Sequence, residues 1–189
     1  MCGVAGYLRI RPETAGPMAQ STADRMLGAI WRRGPDGQGQ WRSKDEICWL
    51  GHRRLAIIDL VTGDQPMSNE DGSVWTVFNG EIYNYMDLRA ELVSRGHIFR
   101  SASDTEVLVH GYEEWGGDGL VRRLRGIFAF AIYDTKGRSL FLARDHLGVK
   151  PLYWSWDGKV FLFGSEIKAL LVHPALEKRT VSHAGVAQF

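Results

Sequence analysis

GIFAFAIYD, residues 126–134, carries apolar side chains at every position from Ile127 to Tyr133. Successive side chains of a strand point to opposite faces. A strand apolar on both faces has to be covered on both sides. Downstream, DTKG (134–137) leads into RSLFLARD (138–145), and Asp157-Gly158 turns PLYWSWDGKVFLFGSE (151–166) back on itself. Consecutive hairpins of this kind imply antiparallel pairing. Upstream, strand-like runs stand at VAGY (4–7), at EICWLGHRRLAIIDL (46–60) and, after the turn NEDG, at SVWTVFNG (73–80).

Helices lie between the strands. Ala23, Met26, Leu27, Ile30 and Trp31 recur at the spacing of one helix face and end at the breaker RRGPDG (32–37). A second helix spans about 85–95 and is capped by Gly96. A third opens at SDTEVLVHGYEEWGG (103–117), where Ser103 and Glu106 have capping-box spacing and Gly116-Gly117 closes the end. Together these elements predict an α+β fold, a layered sandwich of antiparallel sheets.

The composition is that of an ordinary globular protein: 189 residues, 44% hydrophobic and 24% charged. The 22 glycines point to many turns. A net charge of +1 with no strongly basic stretch argues against nucleic acid or an anionic membrane as partner. No apolar run reaches the ~18 residues that span a bilayer. A signal peptide and a myristoylation glycine are also absent, so a cytoplasmic location is expected. The two cysteines, Cys2 and Cys48, form no disulfide framework. The six histidines show no ligand spacing along the chain, so no metal is expected. At the C-terminus Ser182 looks like an N-cap for HAGVAQF (183–189), a helix too short to stand alone. That end reads as a cut through a longer polypeptide.

Four features carry chemistry, and each has two readings. Cys2 is either a buried thiol on a first strand or, once Met1 is removed, a nucleophile. As a nucleophile it would share its residue with a free α-amine titrating at about 7.7–8.0, close enough to operating pH to take the thiol proton. Asn79-Gly80 is either a hairpin turn or an oxyanion site, with the side-chain amide and a backbone N–H as donors. Arg53 and Arg54 point to opposite strand faces, so one can turn inward and grip a carboxylate with both arms of its fork. Asp104 either caps a helix start or receives an ammonium group. The residues alone leave each pair open.

Taken together, MCGVAGY, RRGPDG, HRRLAIIDL, QPM, FNGEIYN, SDTEV, LRGIFAFAIYD and RDHLGVKPLYW stand in the order seen in class II glutamine amidotransferases. More narrowly, the chain resembles the glutaminase domain of glutamine-dependent asparagine synthetase, from Cys2 to about Leu171. The resemblance implies the N-terminal nucleophile hydrolase fold, a four-layer αββα sandwich. Residues 1–175 would form the glutaminase domain. Residues 176–189 would be a linker and the start of a C-terminal synthetase domain that this chain lacks.

The resemblance also implies roles. Cys2 would be the nucleophile and Asn79 with Gly80 the oxyanion hole. Arg54 would hold the α-carboxylate of L-glutamine, while Glu81 and Asp104 hold its α-ammonium. The backbone of Leu55, Ala56, Ile57 and Ile58 would line the pocket. RDHLGVKPLYW is assigned to structure, with Arg144 and Asp145 paired near a turn. Glutamine would be hydrolysed through a Cys2 thioester to glutamate and ammonia, and the ammonia used to make asparagine from aspartate. No cofactor is expected in this chain, which has no Walker A sequence. ATP and magnesium would belong to the synthetase domain of the same polypeptide. A homodimer is one assembly the resemblance allows. Two alternatives stay open: a glutaminase domain serving a different ammonia acceptor, and a degenerate scaffold without catalysis.

Overall fold

The computed structural model describes residues 1–11, 13, 15–55 and 63–178. Nine strands and four α-helices follow one another among them. They are β1 (Gly3–Arg9), α1 (Gln20–Ala29), β2 (Gly37–Arg42), β3 (Cys48–Arg54), β4 (Met67–Ser68), β5 (Val74–Ile82) and α2 (Tyr85–Ser94). Then come α3 (Glu106–Arg123), β6 (Gly126–Asp134), β7 (Ser139–Arg144), β8 (Tyr153–Trp156), β9 (Val160–Gly164) and α4 (Ile167–Leu171). They build two antiparallel sheets, one ordered β2-β3-β1-β9-β8 and the other β4-β5-β6-β7.

Strand alternation explains the layering. Along β6, Phe128, Phe130 and Ile132 pack with Leu88 and Leu92 of α2 and Val107 and Leu120 of α3. The intervening Ala131 and Tyr133 face the other sheet, meeting Val4, Leu50 and Phe163. On the far side, Ala5, Tyr7 and Trp49 pack against Met26, Leu27 and Ile30, with Leu170 of α4 beside them. The result is helix, sheet, sheet, helix, as the doubly apolar run requires. The inter-sheet layer is tight: a Cβ at Gly6 would lie 2.0 Å from the Phe163 ring. Glycine is what lets that ring cross β1.

Several expectations need correcting. The third helix is interrupted at Gly116 as expected, but a further helical segment that was not expected follows it. Gly116 takes φ 66° and kinks α3, which then resumes to Arg123. The burial of Leu120 and Leu124 draws the second half back onto the core. Ser103 and Glu106 form no capping box. Glu106 turns back to accept from the N–H groups of Arg100 and Ser101, both at 2.8 Å, and from Ser101 Oγ at 2.6 Å. Trp31 lies outside the apolar face. It is exposed in a short 3₁₀ turn after α1, beneath the Arg32 guanidinium.

Asn79-Gly80 is no turn: β5 runs straight through it, pairing Asn79 with Ala129 and Gly80 with Phe128. Asp145 does not pair with Arg144. Its oxygens accept from the N–H groups of Leu147, Val149, Lys150 and Phe128, folding the loop after β7. The end of α2 is as expected. Gly96 at φ 101°, with Gly96 N–H on Val93 O and His97 N–H on Leu92 O, completes a Schellman motif. HAGVAQF lies outside the described residues. No helix among them is long and apolar enough to cross a membrane.

Candidate active site

The same strand alternation gathers the expected site residues. On β1, Val4 points between the sheets, so Cys2, two residues earlier, starts on that side. On β3, Cys48 and Leu50 point inward, and His52 and Arg54 continue the series. On β5, Val77 points inward, followed by Asn79 and Glu81. These side chains meet at one end of the gap between the sheets, in a cavity of about 90 Å³. Cys2, Arg54, Leu55, Asn79, Gly80, Glu81 and Asp104 all line it. Ala56, Ile57 and Ile58 lie outside the described residues.

Cys2 is held on three sides. Its carbonyl accepts from Arg33 Nε at 2.9 Å, and Arg33 is itself paired with Glu166 at 3.2 Å. Its sulfur accepts from Leu55 N–H at 3.4 Å and faces the Leu55 carbonyl at 3.7 Å. Its neighbour Val4 exchanges two bonds with Ser165, at 2.9 and 2.8 Å. The thiol stays partly exposed. Cys48 makes the contrast: it is buried, and burial pushes its thiol well above the ordinary range.

Asn79 is 2% exposed, and its Nδ2 has no hydrogen-bond partner. A buried amide donor without a partner costs about 1–3 kcal/mol, so a native protein keeps one where something else will use it. The Gly80 N–H points the same way by a different route. Phe78 N–H leaves the ladder for Gln65 Oε1 at 2.6 Å, and Ile82 N–H leaves it for Asp104 Oδ2 at 2.8 Å. Alternate N–H groups of a strand share one side. Gly80 N–H therefore also faces away from β6, between those two bonds and toward the cavity. The reason for glycine is different from the one expected. A Cβ at residue 80 would lie 2.3 Å from the Ile127 carbonyl, so the glycine serves the β5–β6 contact.

The charges divide into two groups. Arg54 donates to Asp64 Oδ1 at 2.9 Å from the cavity wall, while Arg53, on the opposite face, donates to Leu27 O of α1 at 3.1 Å. Asp104 is pushed up to about 6, by burial first and by the nearby Glu81 carboxylate as well, against the Ile82 N–H that favours its anion. A buried carboxyl with a second carboxylate near it suits a cation.

Sequence reasoning missed Gln65, Lys150 and His52 of the cavity lining, and Arg33, which holds the Cys2 carbonyl. Gln65 ties Phe78 N–H to Thr105 Oγ1 and so fixes β5 against the start of α3. Lys150 comes from the stretch assigned to structure, which Asp145 folds so that the lysine reaches the cavity. His52 is fully buried, and burial pushes it down to about 3 despite an opposing hydrogen bond with the Phe78 backbone. It is neutral at working pH and no base for the thiol. Arg33 is the second residue of the RRGPDG breaker, but nothing local ties it to Cys2.

The family description "glutamine amidotransferase domain" matches residues 1–189. The glutamine-hydrolyzing asparagine synthetase 3 of Bacillus subtilis (strain 168) is 45% identical over 190 residues, covering 100% of this chain and 30% of that protein. The corresponding synthetase 2 of Arabidopsis thaliana is 50% identical over 177 residues, covering 90% of this chain and 28% of its own length. The chain thus spans less than a third of these relatives. Among solved structures, glutamine phosphoribosylpyrophosphate amidotransferase from B. subtilis, complexed with ADP and GMP, superposes with a TM-score of 0.70 at 25% identity. That match covers 90% of this chain and 43% of the other.

Proposed function

This chain belongs to the glutamine amidotransferase family, and from that premise we propose that its cavity hydrolyses the side-chain amide of L-glutamine through Cys2. Removal of Met1, which is exposed at the cavity mouth, gives Cys2 a free α-amine. That amine takes the thiol proton, and the thiolate attacks the amide carbon. Negative charge develops on the amide oxygen, where Asn79 Nδ2 and Gly80 N–H receive it. The amine returns its proton to the leaving nitrogen, and ammonia departs. Water then splits the Cys2 thioester to give glutamate. Arg54 and Lys150 receive the substrate α-carboxylate, and Glu81 with Asp104 its α-ammonium.

The observation that carries this reading is the buried Asn79 amide without a partner, facing the same cavity as the Cys2 sulfur. We further propose that the ammonia serves asparagine synthesis from aspartate, with ATP and magnesium, in a synthetase domain outside these 189 residues. The curated synthetases that match the chain support this. The test is glutamate release from glutamine by the purified chain with Met1 shown by mass spectrometry to be removed. Cys2→Ala should abolish release and leave the melting temperature nearly unchanged. Undiminished release by that variant, or full activity with Met1 retained, would refute the mechanism.

A further inference from the structure

On the far side of the β4–β5 sheet, three separate segments bring four metal-ligating side chains together. Glu70 comes from the turn between β4 and β5, His97 from the residue after the cap of α2, and His110 and Glu113 from one face of α3. One ligand atom from each lies within 4.8 Å of the other three. His110 Nδ1 stands 3.4 Å from Glu70 Oε2 and 3.7 Å from Glu113 Oε2. His97 Nδ1 stands 3.9 Å from Glu70 Oε1 and 4.0 Å from Glu113 Oε2. These separations are slightly too long for hydrogen bonds. Four ligands at about 2.0–2.1 Å from a central zinc ion would be separated by about 3.3–3.4 Å. The widest separation, within 4.8 Å, has to contract by up to about 1.4 Å to close the shell, while the His110 contacts are already near that spacing.

His110 provides an independent observation. Its side chain is 1% exposed, yet neither ring nitrogen has a hydrogen-bond partner. An unpaired buried imidazole is costly, and it is aimed into the centre of the cluster.

The surrounding groups complete the arrangement. Glu70 Oε1 is held by Ile98 N–H at 2.9 Å and Glu113 Oε1 by Asn69 Nδ2 at 2.7 Å, which leaves each Oε2 for the centre. Behind the histidines, Glu114 Oε2 lies 3.4 Å from His97 Nε2, and Glu106 Oε1 lies 3.5 Å from His110 Nε2. Each carboxylate stands where it could accept the other ring N–H of a ligating histidine, the contact that sets tautomer and ring orientation in metal sites. Arg95 secures Glu114 through its other oxygen at 2.8 Å.

We propose that Glu70, His97, His110 and Glu113 bind one divalent transition-metal ion of the zinc class in tetrahedral geometry. Two imidazoles and two carboxylates suit zinc or cobalt better than calcium or magnesium, which favour oxygen alone. The ion would cross-link the β4–β5 turn, the α2–α3 connection and α3. It is separate from the Cys2 cavity and independent of what that cavity does.

The experiment uses the untagged chain, freed of metal by a chelator and titrated with Co²⁺ and then Zn²⁺. One Co²⁺ per chain should bind, with the intense visible bands of a four-coordinate site, and Zn²⁺ should displace it. His97→Ala and Glu113→Gln should each abolish those bands in chains that stay folded by circular dichroism. Glu114→Gln keeps every ligand and should weaken binding about 10–100-fold. Cys2→Ser should bind as the parent chain does, which excludes chelation by the N-terminal thiol. Absence of stoichiometric Co²⁺ uptake would overturn the proposal. Uptake lost in Cys2→Ser but kept in His97→Ala would overturn it equally.

Discussion

Strands β5 and β6 are nine residues each, paired along their whole length, yet they use their side chains differently. β6 spends both faces on packing, with Phe128, Phe130 and Ile132 toward the helices and Ala131 and Tyr133 toward the other sheet. β5 begins the same way at Val74, Val77 and Phe78, then changes at Asn79. From there its inward positions are polar, and one buried donor is left without a partner. A strand that packs lowers the energy of the folded chain. A strand end that leaves a donor unpaired sacrifices some of that energy, and in the proposed mechanism it holds a group ready for a charge that exists only during reaction.

The sharpest way to break the contrast is to damage β6. Phe130 is fully buried, with rings of Phe128 and Phe141 at 5.5 and 6.2 Å. Phe130→Ala should cost about 3–5 kcal/mol, lowering the melting temperature by roughly 6–20 °C. kcat per folded molecule should hold. A loss of kcat in the folded fraction would mean that the two strands are not separable in this way.

The converse change is Asn79→Ala. Losing one oxyanion donor typically lowers kcat about 10²–10³-fold, some 2.7–4 kcal/mol in the transition state. Glutamine affinity should change little, because the donor acts where charge develops rather than on the bound ground state. The melting temperature should stay level or rise, since an unpaired buried donor is removed. A fall of several degrees with near-normal kcat would return Asn79 to a purely structural role.

The two strands also differ in how far the sequence discloses them. β6 was legible because burial on both faces leaves a direct mark, an uninterrupted apolar run. The β5 site was ambiguous because Asn-Gly is equally the signature of a tight turn. Only pairing with Ala129 and Phe128, some 50 residues away, removes that reading. Cys2, Arg54, Glu81 and Asp104 were reachable through resemblance, whereas Arg33, Gln65 and Lys150 were not reached, since their tasks depend on neighbours distant in the chain. The helical segment after Gly116 escaped the sequence reading for a related reason. Gly116 does interrupt the helix, but the buried Leu120 beyond it carries more weight than local propensity. The proximity of Glu70, His97, His110 and Glu113 was not legible in the sequence, because a cluster built from three segments has no spacing to read.

Smaller effects sharpen the comparison at β3. Arg54 faces the cavity and Arg53 faces α1. Arg54→Lys keeps the charge and loses the fork. Charge-assisted bonds are worth about 1.5–3 kcal/mol, and the retained charge favours the low end, so KM for glutamine should rise roughly tenfold. Arg53→Lys should leave KM alone and cost only the bond to Leu27 O, about 0.5–1.5 kcal/mol of stability. Reversed outcomes would mean the facing of β3 is wrong.

A further effect is a pH dependence at Asp104. Its carboxyl is pushed up to about 6, chiefly by burial and then by Glu81. Above that pH it is an anion and complements the substrate ammonium. Below it the proton cancels the attraction while the ammonium stays charged. The profile of kcat/KM reports the free enzyme, so it should fall as pH drops through about 6, approaching tenfold per unit. kcat at saturating glutamine should move less, because bound ammonium holds Asp104 ionised. The stability consequence has the opposite sense. A carboxyl raised in the folded state binds its proton more tightly there than in the unfolded chain, at about 3.9. The burial cost is therefore present above about 6 and is relieved as pH falls toward 4. Asp104→Asn should raise the melting temperature at pH 8 and not at pH 4. It should also hold kcat/KM low and remove the inflection near 6. A parent profile flat from pH 8 to 5 would separate Asp104 from the substrate ammonium and leave its raised pKa as a property of packing alone.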